Sequence, residues 1–531
     1  MEFTIDRTLP RIPHKKHWQF CVGSGHALLA LRTDYTRQLK FIHDTLGIQR
    51  VRFHGIFNDD MRTKANLAEM FPAPGAEKFT DENFRACGLA YDNVLEAGMK
   101  PLVELSFMPR AMSKKETEGV FYYRPCIDPP ADHAEWAAYV QRFIRFLIHR
   151  YGAEEVRTWL FEVWNEPDLQ VVFFSEDKEA YFKLYETTAR AIKEVDPELK
   201  VGGPSTSGSK WIDSFVRYCR EKEVPVDFIT THQYAGDPLG GVEDKGESLD
   251  EEREQGGGES WPERLKKMGE RLATAQDHTF LSGLRAINPD PTETTEMAND
   301  HFRKNAAVVR RQAGDLPVYY TEWNLNANLS SYTNDTRKEA AYDVKTALDV
   351  ADSVDGSSLW CFSDIFEELH PFVQEFYGCW GLLSQSGIPK PVYYGMKLLA
   401  DAPDTRIDLG PDSTDGEIGI GAFEGAEETH VILFRQKMKQ LPLPKEEAVV
   451  HIACPVRPEK VILRRIDEEH GNPLKLWEEM GRPDYLNRAE VEDLKARSAV
   501  EPENWPFTWE NGMLTIRAEL GVNDVYGFVI R

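Results

Sequence analysis

The sequence predicts an α/β protein, a (β/α)8 barrel of the TIM type with an appended C-terminal β-sandwich. Three observations predict it. From Trp18 to about Ala400, short β-branched or aromatic runs alternate roughly eight times with segments of helical apolar spacing. No Gly-x-Gly-x-x-Gly follows the first of these runs, which disfavours the open doubly wound sheet, the alternative for such alternation. Beyond Ala400 the helical spacing gives way to short strands between Pro, Gly and Asp turns.

Barrel strands are expected at Trp18–Val22, Gln49–Phe53, Pro101–Ser106, Thr158–Trp164, Lys200–Gly203, Asp227–Thr231, Val318–Glu322 and Ser358–Phe362. Helices are expected between them, for example Ala134–Tyr151, with Asp132 as N-cap and Gly152 as stop, and Lys178–Val195. Pro391–Ala400 closes the barrel region, taken as residues 14–400. Residues 401–531 form the sandwich, with strands at Thr429–Phe434, Ala448–Ala453, Lys460–Arg465, Met513–Arg517 and Val525–Ile530 and one helical pattern near Ala489–Ala496. Residues 1–13 could join it. One connection breaks the rhythm: residues 236–300 form a long acidic insertion containing Gly256-Gly257-Gly258, after which Ala306–Ala313 resumes as a barrel helix. It leaves the face where barrel active sites form, so it could be a lid or an oligomer contact, or Glu243–Ser260 could be disordered.

A chain of 531 residues that is 41% hydrophobic and 11% aromatic can bury a large core. Its net charge of −25 argues against nucleic acid or an anionic membrane as partner, whereas a neutral ligand is indifferent to it. Charge in Met1–Arg7 where a secretory signal would be apolar, and no bilayer-length apolar run, point to a soluble cytoplasmic protein. The seven cysteines are scattered and lack a C-x-x-C pair, so neither a disulfide framework nor a zinc site is expected.

The chemistry concentrates at strand ends. Trp164-Asn165-Glu166 and Thr321-Glu322-Trp323-Asn324 each place a glutamate where a strand emerges on the C-terminal face. Two such carboxyl groups facing one pocket suit glycosidic cleavage, in which one donates a proton and the other, ionised, attacks or stabilises the sugar carbon. Either alone could be an ordinary strand-end carboxylate paired with Lys or Arg. Strand alternation puts Arg52 and His54 on one side, and His232 and Tyr234 likewise. With His26 and Asp364 at the first and last strand ends, these make a polar pocket that could bind hydroxyl groups. Trp164, Trp323, Trp360 and Phe107 could floor it, although Trp164 reads better as core and Trp360 as function.

The motifs Gly23-Ser-Gly-His-Ala27, Val51-Arg-Phe-His-Gly-Ile-Phe57, Phe161-Glu-Val-Trp-Asn-Glu-Pro167, Thr231-His-Gln-Tyr234, Thr321-Glu-Trp-Asn324 and Phe362-Ser-Asp-Ile-Phe-Glu-Glu368 resemble glycoside hydrolase family 39. Its members include β-xylosidases and, more distantly, α-L-iduronidase. The resemblance implies that Glu166 is the general acid/base, Glu322 the nucleophile and Asn165 the partner of the sugar 2-hydroxyl. It also implies that His54, His232 and Glu367 hold sugar hydroxyls while His26, Tyr234 and Trp360 line the subsite. Glu166, near the ionised Glu322, would hold its proton at neutral pH, and cleavage would retain configuration with no cofactor or metal. The expected reaction is exo-acting removal of xylose from short xylo-oligosaccharides, with a homo-oligomer left open. Departures from the family's pattern, namely the long insertion, Gln233 and Leu325-Asn-Ala-Asn328, leave another pentoside or modified sugar as an alternative. From other classes, a metal-dependent sugar isomerase would use Glu104, His54, His232 and Glu322 as ligands, and a non-catalytic sugar-binding protein would keep the pocket without turnover.

Overall fold

The computed structural model describes residues 1–170, 172–235, 261–275, 277–287, 300–439 and 442–531. Eight parallel strands close into a barrel in chain order: β1 (Cys21–His26), β2 (Arg50–His54), β3 (Lys100–Glu104), β4 (Leu160–Glu162), β5 (Lys200–Thr206), β6 (Phe228–Tyr234), β7 (Val318–Asn324) and β8 (Gly356–Leu359), which pairs back onto β1. Helices lie between them, among them His133–Tyr151 and Lys178–Val195. Asp132 starts the first of these because its carboxylate accepts the backbone N–H groups of Ala134 and Glu135 at 2.7 and 3.4 Å.

Several strands run further than their apolar sequence. β1 continues through Ser24 to His26, β5 to Thr206, β6 to Tyr234 and β7 to Asn324, because the ladder persists where the side chains have turned polar. Conversely, Trp18 leaves the expected first strand for a 3-10 turn, His17–Gln19, and is wholly buried in the barrel core. Four register irregularities fall at these polar ends, one of them between β7 and β8 at Tyr320–Trp323. Ser24 and His26 pair with the consecutive Phe53 and His54, leaving Gly25 as the extra residue. Likewise Ser205 is skipped between β5 and β6, and Thr321 between β6 and β7. An extra residue of this kind re-aims the next side chain, and here the next residues include His26 and Glu322.

The C-terminal region forms two further sheets. One holds Phe507–Glu510, Met513–Leu520, Glu446–Ala453 and Glu2–Ile5; the other runs Glu503–Asn504, Val461–Ile466, Val525–Ile530, Thr429–Phe434, Gly419–Glu424, Thr405–Ile407 and Arg11–Pro13. Ile5, Ile420, Val450, Leu463, Leu514 and Phe528 belong to one core between them. The first thirteen residues thus contribute a strand to each sheet, Glu2–Ile5 parallel to Val449–Ile452 and Arg11–Pro13 antiparallel to Thr405–Ile407. The outer face of the larger sheet packs on the barrel helix Pro391–Asp401, where Gly527 leaves room for Leu398: a Cβ there would lie 2.6 Å from Leu398 Cδ2 and displace it.

Within the insertion the described residues hold helices Trp261–Leu272 and Phe280–Ile287, and the barrel helix resumes at His301–Ala313. The expectation of disorder at Glu243–Ser260 falls outside the described residues. All seven cysteines are free. Among the described residues no helix is long and apolar enough to cross a membrane.

Candidate active site

β4 ends at Glu162, and the chain then turns sharply with Trp164 at φ 72° and Glu166 at φ 41°. Left-handed backbone at such residues costs on the order of 1–3 kcal/mol each and survives only when neighbours fix it. Here the Glu166 N–H donates to Ser205 O at 2.8 Å and the Trp164 indole N–H to Phe173 O at 2.8 Å. The turn brings Glu166 to Glu322 on β7, so that a carboxylate oxygen of each and a ring nitrogen of His232 all lie within 4.8 Å of one another.

Glu322 is held from both sides. Its Oε1 accepts from Arg52 Nη1 at 2.8 Å and its Oε2 from the Tyr234 hydroxyl at 2.7 Å. Burial pushes its carboxyl up from the ordinary value, while the Arg52 and His54 cations pull against that shift. Arg52, itself wholly buried, also reaches Glu162 at 2.5 Å, Glu104 at 2.9 Å and Asn165 Oδ1 at 2.8 Å. Burial disfavours its charge, but Glu162, Glu104 and Glu322 more than offset this and hold its pKa above that of a free arginine. Asn165 is left with a buried Nδ2 that has no partner among the described residues.

The two histidines end in opposite states. Burial would lower His54, yet Glu104, 2.6 Å from its Nδ1, together with Glu368 and Glu322 carries it up to about 9. Burial lowers His232 to about 4, leaving it neutral beside Glu166 Oε1 at 2.9 Å. Trp360 lies with its ring 4.9 Å from that of His54, and Gly23 makes room for it, since a Cβ there would sit 2.3 Å from Trp360 Cε3. His26 stacks on Tyr123 at 4.2 Å and contacts Asp60 at 3.2 Å. Trp164 and Trp323 are wholly buried.

Two expected pocket residues sit elsewhere. Glu367, in a left-handed backbone at φ 52°, turns outward and pairs with Arg32. Its neighbour Glu368 turns inward instead, 3.8 Å from His54 Nε2, and burial raises its pKa to about 8. Asp364 is buried behind the pocket, accepting the Gly381 N–H at 2.8 Å and pairing with Lys390 at 3.4 Å, so it supports the loop rather than lining the site. Gln233 also points away, accepting from Ser209 Oγ at 2.9 Å and Asn305 Nδ2 at 2.8 Å. Glu162, Ser205 and Glu368 went unread in the sequence. A buried arginine demands acidic partners, and that signal, applied to Arg52, points to Glu162.

Glu166, His232 and Glu322 are close enough to be considered as metal ligands, a different set from that of the isomerase alternative. The donors do not fit. Both Glu322 oxygens already accept hydrogen bonds, and the Arg52 and His54 cations stand where a metal's charge would be needed.

A closed barrel with two buried carboxylates facing each other in an arginine- and histidine-lined pocket at its C-terminal face defines a glycosidase, an enzyme that hydrolyses O-glycosyl bonds. The chain belongs to the family described as Glycosyl hydrolases family 39, whose sequence model matches residues 1–254 and 259–512. It is 36% identical over 489 residues to a beta-xylosidase of Caldicellulosiruptor saccharolyticus, covering 92% of this chain and 89% of that protein. A beta-xylosidase of Geobacillus stearothermophilus is 31% identical over 520 residues, covering 96% and 92%. Among solved structures, a GH39 beta-xylosidase from Caulobacter crescentus covers 100% of both chains with a TM-score of 0.74 at 26% identity. An alpha-L-iduronidase of Mus musculus is 28% identical over 163 residues, 30% of this chain.

Proposed function

We propose that the protein is a retaining, exo-acting β-xylosidase that removes xylose from the non-reducing ends of short xylo-oligosaccharides. The observation that carries this is the Glu166–Glu322 pair, close enough for attack from one carboxylate and proton transfer from the other on a single sugar. Glu322 attacks the anomeric carbon while Glu166 protonates the departing oxygen. His232, 2.9 Å from Glu166 Oε1, positions that carboxyl for the transfer. The glycosyl-enzyme is then released by water, whose proton Glu166 accepts. Asn165 Nδ2, buried without a partner among the described residues, is free to donate to the 2-hydroxyl.

Exo action is supported by the buried groups beside Glu322: His54 lies 3.7 Å from its carboxylate, with Glu368 and Trp360 packed on that histidine. Xylose is supported by the two beta-xylosidases that match most of this chain, and by the outward aim of Gln233, which takes that departure from the family pattern out of the sugar's reach. The test is hydrolysis of a panel of nitrophenyl glycosides led by the β-D-xyloside, with Glu322→Ala compared with and without azide. We expect xyloside turnover, a fall in kcat of about 10⁴-fold in the variant, and an inverted glycosyl azide on rescue. Turnover of another glycoside in preference to the xyloside would reassign the sugar, and an azide-insensitive variant would reject Glu322 as nucleophile.

A further inference from the structure

We infer that the helix Phe280–Ile287, supplied by the insertion after β6, carries one side of a subsite for the leaving group: an aromatic rim of Phe280, His370, Tyr122 and Phe372 that stacks the second pyranose ring of the substrate. The inference rests on the xylosidase reading above and names what holds the other side of the cleaved bond.

The helix is built into the wall of the site. Leu281 and Leu284, 8% and 7% exposed, share one apolar cluster with Tyr234 and Trp360, the residues that bond Glu322 and pack on His54. Arg285 Nε donates to Ser330 O at 3.0 Å and pins the helix to the loop after β7. With that face satisfied, Phe280 turns its ring outward at 55% exposure.

What it meets there comes from two other strand-end loops. Its ring lies 5.7 Å from that of His370 and 5.8 Å from that of Phe372, and His370 lies 6.3 Å from Tyr122, itself 68% exposed. This rim is tied to the pocket through Glu368. Glu368 keeps its carboxyl beside His54 while its carbonyl oxygen accepts the Tyr122 N–H at 2.8 Å, and two residues further the same chain presents His370. Loops that leave β3 and β8 and the insertion that leaves β6 therefore meet in this rim, linked to the pocket by Glu368.

The chemistry selects the occupant. A pyranose offers an apolar C–H face to aromatic rings and hydroxyl groups to an imidazole, and a neutral sugar is not repelled by a chain of net charge −25. Stacked aromatic contacts of this sort change binding several-fold rather than by orders of magnitude.

The test compares two substrates that place the same sugar beside Glu322: xylobiose, whose leaving group is a ring, and β-xylosyl fluoride, whose leaving group is a single atom. In Phe280→Ala the ratio of kcat/KM for xylobiose to that for the fluoride is expected to fall about fivefold. Tyr122→Ala is expected to move it in the same direction, and Phe280→Tyr to restore it. An unchanged ratio in both alanine variants, or an equal fall on both substrates, would overturn the inference by assigning the rim no role or a purely structural one. A wild-type enzyme inactive on both substrates would overturn the xylosidase reading and this inference with it, an outcome distinguishable from the others because no variant is needed to see it.

Discussion

At the scale of single residues the site is organised around a buried arginine. Arg52 touches Glu104, Glu162, Asn165 and Glu322, so one side chain orients both the carboxylate that attacks in our mechanism and the amide beside it. Arg52→Lys keeps the charge but cannot span four partners; removing such contacts from buried acids is expected to cost about 3–5 kcal/mol of stability, measured by denaturant unfolding, and to depress kcat. The histidines give a pH signature. His54 titrates near 9 in the fold against about 6.5 unfolded, so its stabilising contribution is complete below about pH 6.5 and lost as pH rises through 9. His232 titrates near 4, so its contribution is complete above about 6.5 and lost as pH falls through 4. His232→Asn should therefore flatten the acid limb of the stability profile and His54→Asn the alkaline limb, as read from thermal midpoints against pH. Arg52, His54, His232 and Tyr234 were legible because a strand's alternation fixes their side. Glu367 was not, since β8 ends at Leu359 and only the loop's left-handed turn decides that Glu368 faces inward.

At the scale of elements, precision comes from irregularity. The extra residues at Gly25, Ser205 and Thr321 sit where three strands reach the pocket, and no apolar pattern announces them. The loop from Trp360 to Lys390 is fixed by a buried cation instead: Lys390 Nζ lies 2.8 Å from Asp335 and 2.6 Å from Cys379 O, with Asp364 at 3.4 Å. Lys390→Met would leave Asp335 and Asp364 buried without their cation. The expected loss is again about 3–5 kcal/mol in unfolding, together with a raised KM because the loop carries Trp360 and Glu368. Long amphipathic helices such as Lys178–Val195 were readable to the residue. The strands Thr405–Ile407, Gly419–Glu424 and Phe507–Glu510 were not, being short, glycine-containing or at a sheet edge, where alternation has too few positions to register.

At the scale of the whole molecule, barrel and sandwich are bound together. Arg337 of the barrel pairs with Asp524 at 3.1 Å, and Leu398 rests on Gly527. Removing residues 1–13 takes a strand from each sheet and the buried Ile5 from the core between them, a loss of at least about 2 kcal/mol for that side chain alone. Truncation should lower the thermal midpoint of the enzyme, and a midpoint equal to that of the intact chain would show those strands to be accessory. The pairing of Glu2–Ile5 with Val449–Ile452 also sets a timetable for biosynthesis. The first strand leaves the ribosome more than four hundred residues before its partner, which at about 5–20 residues per second is roughly twenty to ninety seconds. For most of that interval Phe3 and Ile5 lack their native neighbours, and the barrel emerges in the meantime; the newborn chain therefore completes its sandwich only after the barrel has been made, by recapturing a strand synthesised before it.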